Sequence, residues 1–177
     1  MSSPTKTSSK GIELIKSFEG FYAKPYMCPA NVATIGYGTT RYPNGKKVTL
    51  NDSPITEAVA IEYLKDSLIK FERDVDAFCR DDINQNQFDA LVSFAYNTGP
   101  RGLNKLFKKY DGTVGSLADG LTSGFNTSGG KVLPGLTRRR SVERTMFLGD
   151  VVDPSQARRT SVDPHSKEAK EDSAKED

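Results

Sequence analysis

The sequence predicts an α+β fold in which a small antiparallel β-sheet accompanies a larger helical body. Three observations predict it. Apolar residues recur at helical spacing over 9–19, 54–78 and 84–97, strand-forming residues concentrate at 25–50, and the apolar content collapses after Gly149. With 177 residues, 36% hydrophobic and 27% charged, the chain has enough apolar material for one compact domain. The expected organisation is a flexible N-terminus at 1–9, a folded domain at 10–149 and a charged, disordered tail at 150–177.

The first helix follows from Ile12, Leu14, Ile15 and Phe18, which share one arc of about 160° at helical geometry. Glu19 falls inside that arc, on the apolar side of the last turn, and Gly20 supplies the stop. In the strand region, "PNG" at 43–45 marks a tight hairpin in which Asn44 and Gly45 both take positive φ. Ser53 and Pro54 read as cap and first residue of the next helix, where Ile61, Leu64, Leu68, Phe71, Val75 and Phe78 recur every three or four positions. Asn84 and Gln87 stand at capping-box spacing before a third helix, which "NTGP" at 97–100 ends. Helical pieces at 101–109 and 113–122, a Gly/Ser loop and a last helix at 136–149 complete the domain.

Composition removes several function classes. The single histidine, His165, lies in the tail, so a Ser-His-Asp or Cys-His unit has no base and a histidine-based zinc site has no ligands. No phosphate-binding glycine loop is present, and neither a metal nor a cofactor is expected. Cys28 and Cys79 are too few for a disulfide framework. The N-terminal residues show no signal peptide or membrane anchor. Residues 151–177 carry seven acidic and five basic side chains, a balance of −2, which leaves +4 on residues 1–150. A mildly basic body suits an anionic polymer, but no interleaving of aromatic and basic residues points to nucleic acid.

Carboxylate and thiol chemistry remain. Glu19 among apolar neighbours would be pushed toward its protonated form, which a glycosidase needs to protonate a leaving oxygen; the plainer alternative is a salt-bridged helix end. Thr34 and Gly36 share one strand face, leaving room for a ligand near the backbone, or Thr34 is an ordinary strand threonine. An ordinary thiol is only about 3% ionised at pH 7, so taken alone Cys28 reads as packing. Tyr37 and Asn97 also have plain structural readings, as a core aromatic and a helix end.

Taken together, these residues resemble the signature of the phage-type lysozymes, the endolysins of glycoside hydrolase family 24. In that signature a Glu is followed after eight residues by Asp or, in some members, Cys, and after five more by Thr. Glu19, Cys28 and Thr34 in "FEGFYAKPYMCPANVATIGYGTT" fit without a gap. "QNQFDALVSFAYNTG" and "GGKVLPGLTRRRSVERTMFLG" are similar to two further family segments, so the resemblance covers residues 10–149. Departures from the family pattern are Asn31 for Gly, Ala33 for Trp, Thr39 for His and Phe125 for Trp.

The resemblance implies a lysozyme-like fold with a cleft between a sheet lobe at 20–50 and a helical lobe, spanned by the helix at 54–78. It implies hydrolysis of the β-1,4 bond between N-acetylmuramic acid and N-acetylglucosamine in bacterial peptidoglycan. Glu19 would be the general acid, Cys28 would orient or activate water or stabilise the cation-like transition state, and Thr34 would help hold the water. Tyr37, Gly38 and Asn97 would contact substrate. Arg139, from a run that otherwise reads as a solvated face, would support Glu19 electrostatically. The expected partner is peptidoglycan, with a holin giving access to it from the host cytoplasm; a monomer without nucleic acid or membrane anchor is expected. Two rivals are a lytic transglycosylase using Glu19 alone and a non-catalytic wall-binding or virion module.

Overall fold

The computed structural model describes residues 4–79, 82–128 and 130–149; the tail expected at 150–177 lies outside them. Five helices and two small antiparallel sheets follow in the order α1 (Ser9–Glu19), β1 (Tyr22–Met27), β2 (Ala33–Gly36), α2 (Glu57–Phe78), α3 (Gln85–Lys109), α4 (Val114–Leu121), β3 (Thr127–Ser128), β4 (Lys131–Val132) and α5 (Pro134–Phe147). The described chain divides into two compact units, with residues 16–67 forming one and residues 4–15 joining 68–149 in the other. The boundaries fall inside α1 and α2.

In the unit at 16–67, β1 pairs with β2 in the register Tyr22↔Gly36, Tyr26↔Thr34 and Met27↔Ala33. The register shifts between Tyr22 and Tyr26, where Pro25 has no N–H for the ladder. Its core holds Phe18, Ile35, Tyr37, Val48, Ala60 and Leu64, all buried. The hairpin at 43–45 forms differently from the expectation. Gly45 N donates to Tyr42 O at 2.9 Å and only Gly45 takes positive φ (86°), so Pro43 and Asn44 make the turn and Gly45 the bulge after it. Downstream, Asp52 accepts from Tyr42 Oη (2.6 Å), Thr49 Oγ1 (2.6 Å) and Thr49 N (2.9 Å). The hydroxyl of Thr49, ahead of that of Tyr42, holds the Asp52 carboxyl below the usual carboxylate range. Burial, then the Asp52 hydrogen bond, pushes the Tyr42 phenol up to about 12.

Helix α2 starts at Glu57, three residues later than Pro54 suggests. Residues 53–56 lie outside the helix, and Ile55 N donates to Ala23 O at 2.9 Å. Thr56 takes the capping role instead, its Oγ1 accepting from Val59 N at 3.3 Å.

The other unit is helical. Helix α3 packs against α4 and α5, and α4 against α5. Leu68, Phe71, Val75, Phe88, Leu91, Phe94, Leu103, Leu106, Leu117, Leu121 and Phe147 form its core. Each such burial contributes about 1.5–3 kcal/mol. Of the expected α2 stripe, Ile61 is half-buried and Phe78 remains 41% exposed, stacked on Phe107 at 5.5 Å. Asn84 and Gln87 form the expected capping box. Gly99 leaves helical geometry (φ 77°, ψ 178°), so Gln85–Lys109 is two helical segments meeting at the predicted stop. Helix α5 starts two residues earlier than expected because Pro134 suits a first turn. The expected Gly/Ser loop contains the short β3–β4 pair.

Residues 6–9 are not the free segment their composition suggests. Ser8 caps α1, its Oγ accepting from Gly11 N at 3.3 Å. Ser8 N and Oγ both donate to Asp89, a fully buried carboxylate that also accepts from Gln85 Nε2 at 2.8 Å. Thr7 N and Oγ1 donate to Glu72 at 2.6 and 2.7 Å. Gly11 is required here, since a Cβ would lie 2.6 Å from Thr7 Cγ2 and 2.7 Å from Asp89 Cγ. A carboxylate at the start of α1 also suits the helix dipole.

Candidate active site

The sequence-predicted residues fall into two sets, one in each unit. In the first, Glu19 is the last residue of α1 and half-buried. The helix ends there as expected, with Gly20 N donating to Lys16 O at 2.9 Å and Gly20 turning the chain at φ 71°. Two residues on, β1 begins and leads to Cys28.

Cys28 opens the turn between β1 and β2. Asn31 N donates to Cys28 O at 2.8 Å, and Asn31 takes the left-handed conformation (φ 62°) that its short polar side chain tolerates. Cys28 N then donates to Val32 O at 3.0 Å. Thr34 Oγ1 donates to the same carbonyl at 2.9 Å. One main-chain oxygen therefore fixes both the backbone of the thiol-bearing residue and the threonine hydroxyl. Cys28 is half-buried with a free thiol, and Thr34 is 4% exposed.

Beyond Thr34 the chain folds back within five residues, Ile35 and Thr39 exchanging both backbone hydrogen bonds at 2.9 Å. Gly36 and Gly38 take φ of 65° and 88° in this turn, and a Cβ on Gly36 would meet Ala60 Cβ at 3.1 Å. Tyr37 points into the core, its hydroxyl donating to Glu57 Oε1 at 2.8 Å. Lys16 Nζ lies 3.5 Å from the same oxygen and 5.5 Å from the Tyr37 ring centroid. The Tyr37 hydroxyl first, and the Lys16 charge second, hold the Glu57 carboxyl below its ordinary value of 4.5. Tyr37 thus joins α1, the turn and the start of α2.

In the second set, the arginine run is not a solvated face. Arg139 and Arg140 are buried, and so is Glu143 one turn on. Arg139 Nε lies 3.4 Å from Glu143 Oε2, and its Nη2 donates to Ser93 O at 3.1 Å. Arg140 Nε sits 2.7 Å from Glu143 Oε1 as an ion pair off the line of a hydrogen bond. Ser93 Oγ donates to Glu143 Oε2 at 2.7 Å. Arg140 also covers the Phe94 ring at 4.7 Å and donates from Nη2 to Asn97 Oδ1 at 2.9 Å. Glu143 and Ser93 were not singled out as candidates. The signal that could have found them is the Arg139-to-Glu143 spacing in a helix lacking an apolar stripe.

Phe125, at the expected Trp position, takes φ 58° and packs edge-on against Phe94 at 5.1 Å. Thr39, at the expected His position, is 1% exposed. Among the described residues no three His, Cys, Asp or Glu side chains gather as metal ligands, and no helix is long and apolar enough to cross a membrane.

A two-stranded hairpin following a short helix that ends in Glu, in a chain whose other unit is a set of packed helices, defines a lysozyme-like α+β protein. Residues 16–143 match the family model described as phage lysozyme, and the chain belongs to that family. The endolysin of Bacillus phage B103 is 39% identical over 143 residues, which are 80% of this chain and 53% of the relative. The chain thus spans about half the length of that curated relative. Among solved structures, the endolysin from Escherichia coli O157:H7 phage FAHEc1 superposes with a TM-score of 0.75 at 33% identity, covering 86% of this chain and 99% of the other. The muramidase domain of SpmX from Asticaccaulis excentricus gives a TM-score of 0.66 at 32% identity, over 81% and 98% of the two chains.

Proposed function

We propose that the chain is a muramidase that cleaves the β-1,4 bond between N-acetylmuramic acid and N-acetylglucosamine in bacterial peptidoglycan, in the service of host cell wall lysis. The observation that carries this reading is the Glu19, Cys28, Thr34 set within a phage lysozyme domain, with the Cys28 backbone and the Thr34 hydroxyl anchored on Val32 O.

In this reading Glu19 protonates the glycosidic oxygen as the bond breaks, the departing sugar leaves as an alcohol, and positive charge develops at the anomeric carbon of the N-acetylmuramic acid that stays. Water adds to that carbon, held by the Thr34 hydroxyl and oriented by Cys28, which occupies the carboxylate position of the family pattern, and the proton it releases passes to solvent, from which Glu19 is reprotonated. Gly38 presents backbone to the sugar chain without a side chain in the way, and Tyr37 braces that turn from below through Glu57. Asn97 has its amide oxygen committed to Arg140, which leaves its NH₂ to donate to an N-acetyl or hydroxyl oxygen. Arg139 supplies the electrostatic support for Glu19 in the same scheme. The enzyme acts as a monomer and reaches the wall from the host cytoplasm through a holin-dependent lesion.

The test is Glu19→Gln against wild type on purified peptidoglycan, followed by turbidity and by mass spectrometry of the ends released. Loss of clearing by at least about 100-fold with the fold intact, and reducing ends from wild type, are expected. Anhydro-muramic ends would replace this reading with a transglycosylase. Wild type that pellets with the wall without clearing it would make the chain a binding module.

A further inference from the structure

The second segment of α3 carries a feature that neither the fold nor the proposed chemistry uses. Arg101, Lys105, Lys108 and Lys109 are exposed and fall within about 100° of one another around the helix, while Leu103, Leu106 and Phe107 bury the far side. Residues 100–110 contain no acidic side chain. Elsewhere Lys65 pairs with Glu62 at 3.9 Å and Arg144 with Asp119 at 3.6 Å. Among the described residues Arg101, Lys105 and Lys108 form no ion pair. Helix α2 intersperses Glu62, Asp66 and Asp74 with Lys65, Lys70 and Arg73, which suffices for solubility.

The helix dipole accounts for cations in the last turn, hence for Lys108 and Lys109, but not for Arg101 and Lys105, which lie earlier. Arg101 and Lys105, and Lys105 and Lys109, are i,i+4 pairs of like charge, an arrangement that opposes the helix unless an anion answers it. Four charges spread over about 12 Å lie within roughly one Debye length of each other at 0.1 M salt and act as a single patch.

We propose that this stripe is a docking surface for the carboxylates of the stem peptides that peptidoglycan sugar chains carry. The proposal rests on the muramidase reading for its choice of polymer. A repeating, flexible array of single carboxylates matches four cations on long side chains, and no aromatic ring on the exposed arc is placed to stack a nucleic-acid base. The stripe would hold the enzyme on an insoluble substrate between cleavage events and raise its rate of encounter at low salt.

The test uses the full chain and purified sacculi freed of phosphate-containing polymers, in pelleting assays across a salt series. Wild type should bind less as salt rises, and R101E/K105E/K108E should bind at least about 10-fold more weakly at low salt, with the two converging at high salt. Sacculi whose carboxylates have been amidated should lower wild-type binding to the level of the variant. R101Q/K105Q/K108Q should fall between, and unchanged melting of both variants secures the fold. Equal retention of the charge-reversed variant and wild type at low salt, or wild-type retention unaffected by amidation, would overturn the proposal. Reducing-end release is read separately in the same samples. Cleavage with unaltered variant binding defeats the stripe alone, and salt-dependent binding without cleavage defeats the muramidase reading alone.

Discussion

Replacing Glu143 by glutamine removes a negative charge from a cluster sealed from solvent, Glu143 and Arg139 being 0% exposed and Arg140 1%. Two buried guanidiniums, at 2.7 and 3.4 Å from the carboxylate, would then lose that counter-charge. Removing one partner of a buried pair costs about 3–5 kcal/mol, because the remaining charge keeps its desolvation penalty. The amide of glutamine can still meet Ser93 Oγ, so the effect isolates charge rather than volume. For a domain of this size about 1 kcal/mol moves the melting temperature by about 2–4 °C, so the expected drop is about 6–20 °C by circular dichroism. The control R139M/R140M/E143M removes both guanidiniums together with the carboxylate and should melt above E143Q. An E143Q protein melting within about 2 °C of wild type would refute the reasoning, since it would mean that water or another anion compensates the arginines.

Two further outcomes are expected. Cys28→Ser should lower clearing of peptidoglycan at least about tenfold with melting nearly unchanged, whereas Cys28→Asp should keep substantial activity; wild-type turnover by the serine variant would return Cys28 to a packing role. The Glu57 carboxyl is depressed in the folded chain, so its stabilising contribution is full above 4.5, the ordinary value, and is lost as pH falls through the folded value. The gap in melting temperature between wild type and Glu57→Gln should therefore be constant near neutrality and narrow below that point; a gap that widens on acidification contradicts the assignment.

What could be read without coordinates depended on whether a residue's partner is local. Asn84 and Gln87 announce a helix start because each satisfies the other three residues away. Ser53 and Pro54 make an equally good local signal, but this segment is tied to a partner distant in sequence, Ile55 N donating to Ala23 O, and the helix starts at Glu57. Gly99 and Pro100 mark the break in α3, yet no local rule says that the helix resumes beyond it. Arg139, Arg140 and Glu143 have the spacing of solvated surface pairs, and only burial against Ser93 and Phe94 distinguishes them. The candidate set was legible for a different reason. Cys28 and Thr34 lie on one hairpin, so their sequence spacing carries over into space, while the anchoring of the Cys28 backbone and the Thr34 hydroxyl on one carbonyl does not show in any side chain.

That shared anchor is a peptide oxygen, and it carries no chemical identity of its own. Residue 32 is 44% exposed, and whatever side chain stands there, its carbonyl still receives the Cys28 amide and the Thr34 hydroxyl. The amide of residue 28 is equally indifferent to the group it bears. The hairpin therefore works as a socket that grips position 28 by its backbone, so the group presented there can change by substitution of a single residue while the scaffold keeps its register.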